Sequence, residues 1–387
     1  MTFLSILEKF LVASQRLVCF YRPPFRCHAQ PVDISFHNKR LLVIDMGNLG
    51  DLVGTALFLR EIKKETPSLS VDVISYSYGA EVLSGFKSCN FLSIDRERPV
   101  RGYVRIIFVL LFSKRYDVSI YLRYGIDARC GTLLTFFSRA KIKVWFSELS
   151  SSGKSIRNKN YDYMYTYNVI DREVCHQIFK KVKILNLFGI TVNREKADIS
   201  LPLELTKEPL VKNGLKEKGY MIAWFGATEP KREWKNFESV FDSLLRETVV
   251  VCGNKEESVY GGFLADKFPN VINLCGKLTL KELYSIVSFA SVGVGTDTGI
   301  AHFANAAGIP FVFISCHPKG APEDHTNSPV RFGPLSRNSI VLQPEAASET
   351  CLHNGCREKY PHCISKVAPK EVLDSVRRLI QMSTESK

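Results

Sequence analysis

The chain has 387 residues, of which 45% are hydrophobic and 11% aromatic, so it is long enough for two domains of ordinary size with full cores. Its formal net charge of +13 favours an anionic partner such as nucleic acid, acidic lipid or a phosphorylated substrate. Because no zinc-finger, RNA-recognition or homeodomain pattern accompanies this charge, nucleic acid is not the preferred partner.

Eleven cysteines do not indicate a secreted disulfide scaffold, because no clear secretory signal precedes them. Four of them fall singly in or beside apolar or helical stretches, namely Cys89, Cys130, Cys252 and Cys275. Free buried cysteine is common in such places. The pattern therefore predicts reduced thiols in a cytoplasmic protein.

Residues 1–40 are interpreted as an amphipathic N-terminal extension. Apolar residues recur at helical spacing within 1–21, but Glu8 and Arg16 interrupt them, so a transmembrane helix is not expected. Three alternatives stay open for this segment. It could lie on a membrane surface with basic residues behind it, pack on the globular body, or be a disordered extension.

Residues 41–195 alternate strand and helix patterns, which predicts a parallel α/β domain. Segment 148–170 lacks periodicity and is interpreted as a mobile loop over a site or a surface excursion. The predicted strands are 41–46, 71–76, 91–95, 117–122 and 142–147. The predicted helices are 51–65, 79–87, 100–113, 129–139 and 172–188.

Asp51 is the most informative residue of this first half. An apolar run ends in Gly47-Asn48-Leu49-Gly50, and Asp51 opens a helical pattern. Ligands gather at such a strand–turn–helix unit, and the first turn of a helix keeps a carboxylate ionised and able to accept a proton. The alternative is an ordinary acidic residue at a helix start.

A polar stretch at 196–218 is interpreted as a linker, and the alternating pattern restarts over 219–345. Two similar α/β halves are therefore predicted. The strands of the second half are expected at 220–226, 248–252, 271–274, 291–295 and 310–314. The helices are expected at 234–246, 256–267, 279–289 and 299–307.

The second half carries two candidate anion sites. Gly226–Trp234 connects a strand to a helix and holds Thr228, Lys231 and Arg232, which suit a diphosphate. The alternative for this loop is a solvated basic surface. Further on, a strand meets Asp297-Thr298-Gly299 and a helix follows; the backbone N–H groups of Thr298 and Gly299 also suit an anion.

From about Leu41 to its end, the chain resembles the ADP-heptose:lipopolysaccharide heptosyltransferases, glycosyltransferase family 9. The resemblance rests on four segments in matching order, which are Gly50–Thr55, Thr228–Trp234, Gly253–Glu257 and Asp297–His302. It implies a GT-B fold, in which two Rossmann-like domains face a central cleft. It also implies that residues 346–387 hold a cysteine-containing tail and a final helix that crosses back to the acceptor-side first domain.

The resemblance further implies residue roles. Asp51 matches the general base, and Thr228 and Arg232 match contacts to the donor phosphates. Arg232 stands where lysine is usual, and Lys231 is adjacent, so either cation could take that role. Glu257 matches the acid on the nucleoside side. The remaining matches are Leu278 beside the adenine, and Asp297, Thr298, Gly299 and His302 at the sugar and diphosphate. Trp234 is followed by lysine where the family often has proline.

Together these features predict an inverting glycosyltransferase that moves a heptose-like sugar from a nucleotide-diphosphate donor to a lipopolysaccharide or related anionic glycolipid. No Asp-x-Asp motif is present, so no metal or other cofactor is expected. The predicted location is the cytoplasmic face of a bacterial inner membrane. The alternatives are a different donor sugar or acceptor, a catalytically silent sugar-binding protein, and a basic nucleic-acid binder.

The tail contains Cys351, His353, Cys356, His362 and Cys363 within a short span. Four such side chains could hold zinc, but the spacing matches no standard finger. Structural packing or a local disulfide is the preferred interpretation, and zinc binding is the alternative.

Overall fold

The computed structural model describes residues 2–21, 36, 39–112, 115–227, 229–325, 327–345 and 362–385. The chain divides into two compact units. The first comprises Met1–Glu173 and Gln177–Pro202, and the second comprises Val174–His176 and Leu203–Lys387. One boundary between the units, at 202–203, falls within the predicted linker at 196–218, and the other two lie at 173–174 and 176–177.

The first unit is built on a six-stranded parallel sheet with the order β3-β2-β1-β4-β5-β6. This is the strand order of a Rossmann-like domain, with its switch point between β1 and β4. The strands are β1 (Arg40–Asp45), β2 (Ser70–Tyr76), β3 (Cys89–Ile94), β4 (Val118–Tyr121), β5 (Ile142–Phe146) and β6 (Tyr167–Val169). The helices are α1 (Thr2–Tyr21), α2 (Asp51–Glu65), α3 (Ser77–Val82), α4 (Pro99–Phe112), α5 (Gly131–Phe137), α6 (Ser152–Arg157) and α7 (Gln177–Val182).

Continuous apolar sequence explains the centre of this sheet. Leu41, Leu42, Val43 and Ile44 are fully buried in β1, as expected for a parallel strand covered on both faces. The helix α2 begins at Asp51 and ends at Glu65, as the sequence predicts. The five predicted strands of this half are confirmed to within about two residues at each end.

The interpretation of segment 148–170 as a loop or surface excursion is wrong. The segment contains α6, the short 3-10 helices Glu148–Ser150 and Tyr161–Met164, and the edge strand β6. Polar contacts hold it in place, because Asn158 exchanges two hydrogen bonds with the Asp127 backbone and the buried Lys154 ammonium lies 3.6 Å from the Trp145 ring centroid. Because these contacts are polar, the segment has no regular spacing of apolar residues from which helices or strands could be predicted.

The second unit repeats the architecture, with a parallel sheet of order β12-β11-β10-β7-β8-β9. The sequence did not predict β12. The strands are β7 (Met221–Trp224), β8 (Val249–Val251), β9 (Val271–Asn273), β10 (Val292–Thr296), β11 (Phe311–Ile314) and β12 (Ile340–Leu342). The helices are α8 (Glu208–Lys212), α9 (Phe237–Phe241), α10 (Ser258–Lys267), α11 (Leu280–Ser288), α12 (Gly299–Ala307), α13 (Pro329–Phe332) and α14 (Pro369–Glu385).

The final helix, α14, packs on the sheet of the second unit. Val372, Val376 and Leu379 are buried in the same core as Trp234, whose indole N–H donates to the Val367 carbonyl. The amphipathic helix predicted for this region is therefore present. Its crossing to the first domain stays a prediction.

The first helix, α1, packs on the first unit through one side. Leu4, Glu8 and Val12 are buried, and Glu8 accepts hydrogen bonds from the Leu133 N–H at 2.9 Å and the Tyr161 hydroxyl at 3.1 Å. This contact supports the alternative in which the helix packs on the globular body. Among the described residues, no helix combines the length and apolar content that a bilayer crossing requires.

The four cysteines expected to be buried thiols, Cys89, Cys130, Cys252 and Cys275, are buried and free. Of the tail residues, Cys351, His353 and Cys356 lie outside the described residues. Cys363 is buried, and its N–H donates to Nδ1 of His362. Among the described residues, no group of three or more metal-binding side chains comes together. The role of the tail stays a prediction.

Candidate active site

In the first unit, Asp51 occupies the helix start that follows β1, as the sequence predicts. Its Oδ2 accepts the Asn48 N–H at 2.7 Å, and the residue is half-buried. The Asn48 N–H therefore fixes one carboxylate oxygen. The position at the carboxyl end of β1, beside the switch point of the sheet, is where ligands bind in this class of domain.

A buried ion pair lies directly behind Asp51. The Lys181 ammonium donates to Asp45 Oδ2 at 2.7 Å, to the Asp51 carbonyl at 2.7 Å and to the Thr55 hydroxyl at 2.9 Å. The Thr55 hydroxyl in turn donates to Asp45, whose other oxygen accepts the Gly47 N–H at 2.8 Å. These bonds tie the end of β1 to the start of α2, and so they fix the backbone that carries Asp51.

Two arginines border the same turn. Arg129 donates to the Met46 carbonyl and to Asn48 Oδ1, both at 2.6 Å. Burial acts to lower the pKa of Arg123, but Tyr121 and the carboxylates of Asp51, Asp127 and Asp45 together outweigh it, and the pKa is raised. A cation thus lies within electrostatic reach of Asp51. Sequence analysis missed Arg123, Arg129 and Lys181, because none belongs to a local motif.

In the second unit, the predicted donor residues follow four neighbouring strands of the sheet, β10, β7, β8 and β9. Because the carboxyl ends of parallel strands meet at one edge, these residues lie along a single edge of the unit. Asp297, Thr298 and Gly299 are half-buried at the junction of β10 and α12. The Thr298 side chain caps α12 by accepting the Ile300 N–H at 3.2 Å.

Arg232 is joined to this junction. Its Nη1 donates to Asp297 Oδ2 at 3.1 Å, and its Nη2 lies 3.6 Å from a Glu229 carboxylate oxygen. The structure therefore brings the basic loop and the Asp297 segment together. Thr228 lies outside the described residues. Lys231 belongs to the 3-10 helix Pro230–Arg232, but its side chain also lies outside the described part, so the choice between Lys231 and Arg232 stays open.

The Glu257 carboxylate lies against two glycines, Gly226 and Gly253. It accepts the Asn254 N–H at 2.7 Å, and its own N–H donates to Asn254 Oδ1 at 3.0 Å. A Cβ on Gly226 would come within 1.3 Å of Glu257 Oε1, and one on Gly253 within 2.0 Å of Oε2. Burial raises the pKa of Glu257, and the neighbouring Glu233 adds to the rise. Because glycine has no side chain, Gly226 and Gly253 leave room for the Glu257 carboxylate at the ends of β7 and β8. Leu278, beyond β9, is half-buried.

His302 is buried on α12, and its ring lies edge-on to that of His176 with centroids 6.5 Å apart. His176 belongs to the short segment 174–176 of the second unit, and one of its ring nitrogens lies 3.1 Å from the Gly333 carbonyl. Burial lowers the pKa of His176 to about 3, with His302 as the second cause. Sequence analysis singled out His302 but not His176.

Two Rossmann-like units, with candidate ligand-binding residues beside the switch point of each sheet, are the architecture of GT-B glycosyltransferases. The sequence profile of glycosyltransferase family 9 (heptosyltransferase) matches residues 110–362, more than half of the chain. The chain therefore belongs to glycosyltransferase family 9, and it is a glycosyltransferase.

Individual relatives agree with this assignment. The chain is 22% identical over 352 residues to lipopolysaccharide heptosyltransferase 3 of Escherichia coli, covering 87% of this chain and 97% of that protein. The crystal structure of a family 9 glycosyl transferase from Veillonella parvula superimposes with a TM-score of 0.71 at 18% identity, covering 91% of this chain and 100% of that one. E. coli heptosyltransferase WaaC with ADP-2-deoxy-2-fluoro heptose gives 0.65 at 15% identity, covering 89% and 99%. At these identities the two structures establish the shared fold alone.

Proposed function

We propose that this protein is an inverting, metal-independent transferase that moves heptose from ADP-heptose to a lipopolysaccharide acceptor. The observation that carries the proposal is the junction of Arg232, Asp297 and the start of α12, which joins a cation, a carboxylate and free helix N–H groups. That combination suits a sugar diphosphate. The E. coli WaaC structure holds an ADP-heptose analogue, and this supports ADP-heptose as the donor.

The proposed reaction is a single displacement. Asp51 accepts the proton of an acceptor hydroxyl, whose oxygen forms a bond to the anomeric carbon of the donor. The bond from that carbon to the diphosphate oxygen breaks, and the nucleoside diphosphate leaves with the electron pair. One backside attack inverts the configuration at the anomeric carbon. Helix N–H groups and the cations of the basic loop stabilise the developing negative charge.

Second-unit geometry supports a division of labour on the donor. Arg232 holds Asp297 in place, which leaves the second Asp297 oxygen for sugar hydroxyls. Glu257, neighboured by two glycines, is positioned to hydrogen-bond ribose hydroxyls, much as an acid does in dinucleotide-binding folds. Leu278 contributes apolar contact for the adenine. Thr298 and Gly299 present the first N–H groups of α12 to the diphosphate.

The first unit supports an anionic acceptor. Arg123 and Arg129 border the turn that carries Asp51, so a carboxylate or phosphate of the acceptor finds cations beside the base. The acceptor then binds with its reacting hydroxyl next to Asp51.

We also propose that the enzyme works at the cytoplasmic face of the inner membrane. α1 exposes Phe3, Ile6 and Phe10 on the side opposite its buried residues. Because α1 also packs on the first unit, deleting it would disturb the fold. The sharper test replaces Phe3 and Phe10 by serine, which should reduce binding to anionic liposomes and leave transfer to a soluble acceptor fragment unchanged.

The function is tested by incubating the purified protein with ADP-heptose and truncated lipopolysaccharide acceptors. We expect a product heavier by one heptose in mass spectrometry and an inverted anomeric configuration in nuclear magnetic resonance spectra. A panel of other nucleotide sugars serves as the control for donor identity. Transfer from another donor only would replace heptose in the proposal, and donor binding without turnover on any acceptor would favour a silent sugar-binding protein.

A further inference from the structure

The helix α4 of the first unit exposes a continuous line of apolar side chains. It buries Tyr103, Ile106 and Leu110 against the unit. On the opposite side, Val100, Val104, Phe108 and Phe112 are exposed by 46%, 59%, 60% and 72% of their surface. Since they recur every four residues, they form one line along the helix. The rings of Phe108 and Phe112 lie 4.7 Å apart, so this end of the line is an aromatic pair.

α1 carries a second apolar line and, like α4, contacts α5. The connections through α4 and α5 run in the direction opposite to those through α2 and α3, and right-handed crossovers therefore place α4 and α5 together on one face of the sheet. α5 contacts both α4 and α1. On α1, Phe3, Ile6 and Phe10 are exposed by 74%, 61% and 67%. Two helices that contact α5 thus each present an apolar line to their surroundings.

The exposed charges of these two helices have a single sign. Arg101 and Arg105 on α4, and Lys9 and Arg16 on α1, are exposed. The one acidic residue of the two helices, Glu8, is 2% exposed. At the end of α4, Arg139 donates to the Leu111 carbonyl at 2.6 Å and adds a further exposed cation. The exposed sides of α4 and α1, called the α4–α1 face below, therefore combine apolar lines with basic residues.

We propose that this α4–α1 face docks on an anionic phospholipid bilayer. Val100, Val104, Phe108 and Phe112 enter the boundary between head groups and acyl chains, and the arginines pair with lipid phosphates. Apolar side chains rimmed by cations are the pattern of helices that lie on membranes. A second copy of this chain fits less well, because two faces with only positive exposed charges repel each other.

The assignment rests on the membrane location proposed above and deepens it, since it names the residues of the bilayer contact and holds for any donor or acceptor. Vesicle binding is measured without donor or acceptor, so failure of the docking proposal is distinguishable from failure of the transferase proposal. It also makes α4 the principal element in contact with the bilayer, although the sequence of α4 carries no targeting motif.

The test uses the full chain in flotation with vesicles of phosphatidylcholine alone or with 30% phosphatidylglycerol added. We expect binding to the anionic vesicles, reduced roughly tenfold or more in the double variant Phe108→Ser/Phe112→Ser. Arg101→Gln/Arg105→Gln should reduce binding and weaken its dependence on salt. The matched control is Val211→Ser/Leu245→Ser, which removes two exposed apolar side chains, 77% and 55% exposed, from the second unit.

A spectroscopic readout reports insertion directly. The three native tryptophans, Trp145, Trp224 and Trp234, are fully buried, so a tryptophan placed by Phe108→Trp gives the exposed part of the signal. We expect its emission to shift to the blue with anionic vesicles and to be quenched by brominated acyl chains. Unchanged Phe108→Trp emission in the presence of bound vesicles overturns the proposal.

Two further outcomes also contradict it. Wild-type-like vesicle binding by the folded Phe108→Ser/Phe112→Ser variant would show that α4 is not the contact. A concentration-dependent dimer in analytical ultracentrifugation that this variant abolishes, without vesicle binding by the wild type, would assign the face to self-association. Circular dichroism of each variant verifies folding, which we expect to be retained because both phenylalanines are exposed.

Discussion

Asp51 and Glu257 lie in similar local turns, after the first strand of one unit and the second strand of the other, yet they are held by different means. Each follows a parallel strand at a helix start, and each accepts an N–H at 2.7 Å from the asparagine three residues earlier. Behind Asp51 lies a buried ion pair whose lysine comes from a distant helix. Glu257 relies on local bonds and on two glycines.

Their electrostatic surroundings differ in sign. Arg123 is within electrostatic reach of Asp51. Glu257 is neighboured by Glu233 and Glu256, and after burial these raise its pKa further. The proposed base and the proposed ribose-binding acid therefore lie in opposite electrostatic surroundings. Rigid support through a buried pair suits the position where bond making requires a fixed proton acceptor.

The largest expected effect separates the two acids directly. Asp51→Asn keeps an oxygen for the Asn48 N–H but cannot accept a proton, so we expect kcat to fall by about 10²–10⁴-fold with donor affinity unchanged. The matched variant Glu257→Gln should raise the donor KM and change kcat much less. Equal losses of kcat in steady-state assays of the two variants would contradict the different roles proposed for Asp51 and Glu257.

Removing the ion pair behind Asp51 should be the next largest effect. Lys181→Met leaves the Asp45 carboxylate buried without its cation, which costs about 3–5 kcal/mol in the free energy of unfolding. Urea denaturation measures this loss. The double variant Lys181→Met/Asp45→Asn removes the uncompensated charge and should recover most of the stability. A single variant as stable as wild type would show that the pair does not support the turn.

A smaller effect, on the affinity for ADP, is expected from changing the glycine backbone beside Glu257. Gly226→Ala puts a Cβ where the Glu257 carboxylate lies and should displace it, weakening ADP affinity by roughly tenfold. Gly262→Ala is the control, because its Cβ would meet only an Asn273 side-chain atom at 3.8 Å. Isothermal titration calorimetry compares the two. Equal affinities would mean that Glu257 does not contact the nucleoside.

The smallest expected effect is none at all. We expect excess EDTA to leave the transfer rate unchanged, because the proposed seat for the diphosphate consists of cations and helix N–H groups. The rate is measured before and after chelation, with magnesium or manganese added back. A loss that either metal restores would assign the leaving group to a metal ion.

Sequence patterns predicted most of the fold because its central strands are continuous apolar runs and its ligand-binding turns are local. Asp51, Glu257 and Asp297 could be found for that reason. The support of Asp51 could not, since Lys181 reaches it from a helix 130 residues away. Strand β6 was not predicted because the segment around it, 148–170, is held by polar contacts of its side chains. Such contacts produce no periodic pattern of apolar residues. The short strand β12 is three residues long and only partly buried, which leaves little pattern to detect.

The contact of Glu8 has a consequence for the proton balance of the molecule. Burial, and then Asp127, raise the pKa of Glu8 from 4.5 to about 9, so the carboxyl is protonated while α1 is docked. Release of α1 at neutral pH therefore frees one proton. The packing of α1 on the first unit is strongest below pH 4.5 and weakens as the pH rises towards 9. The reason is that Glu8 ionises at a lower pH when α1 is released than when it is packed. Protease protection of α1 at pH 5.5 and 8.5 measures this, and Glu8→Gln should remove the difference. Protonation of one buried carboxyl thus links the packing of the first helix to pH.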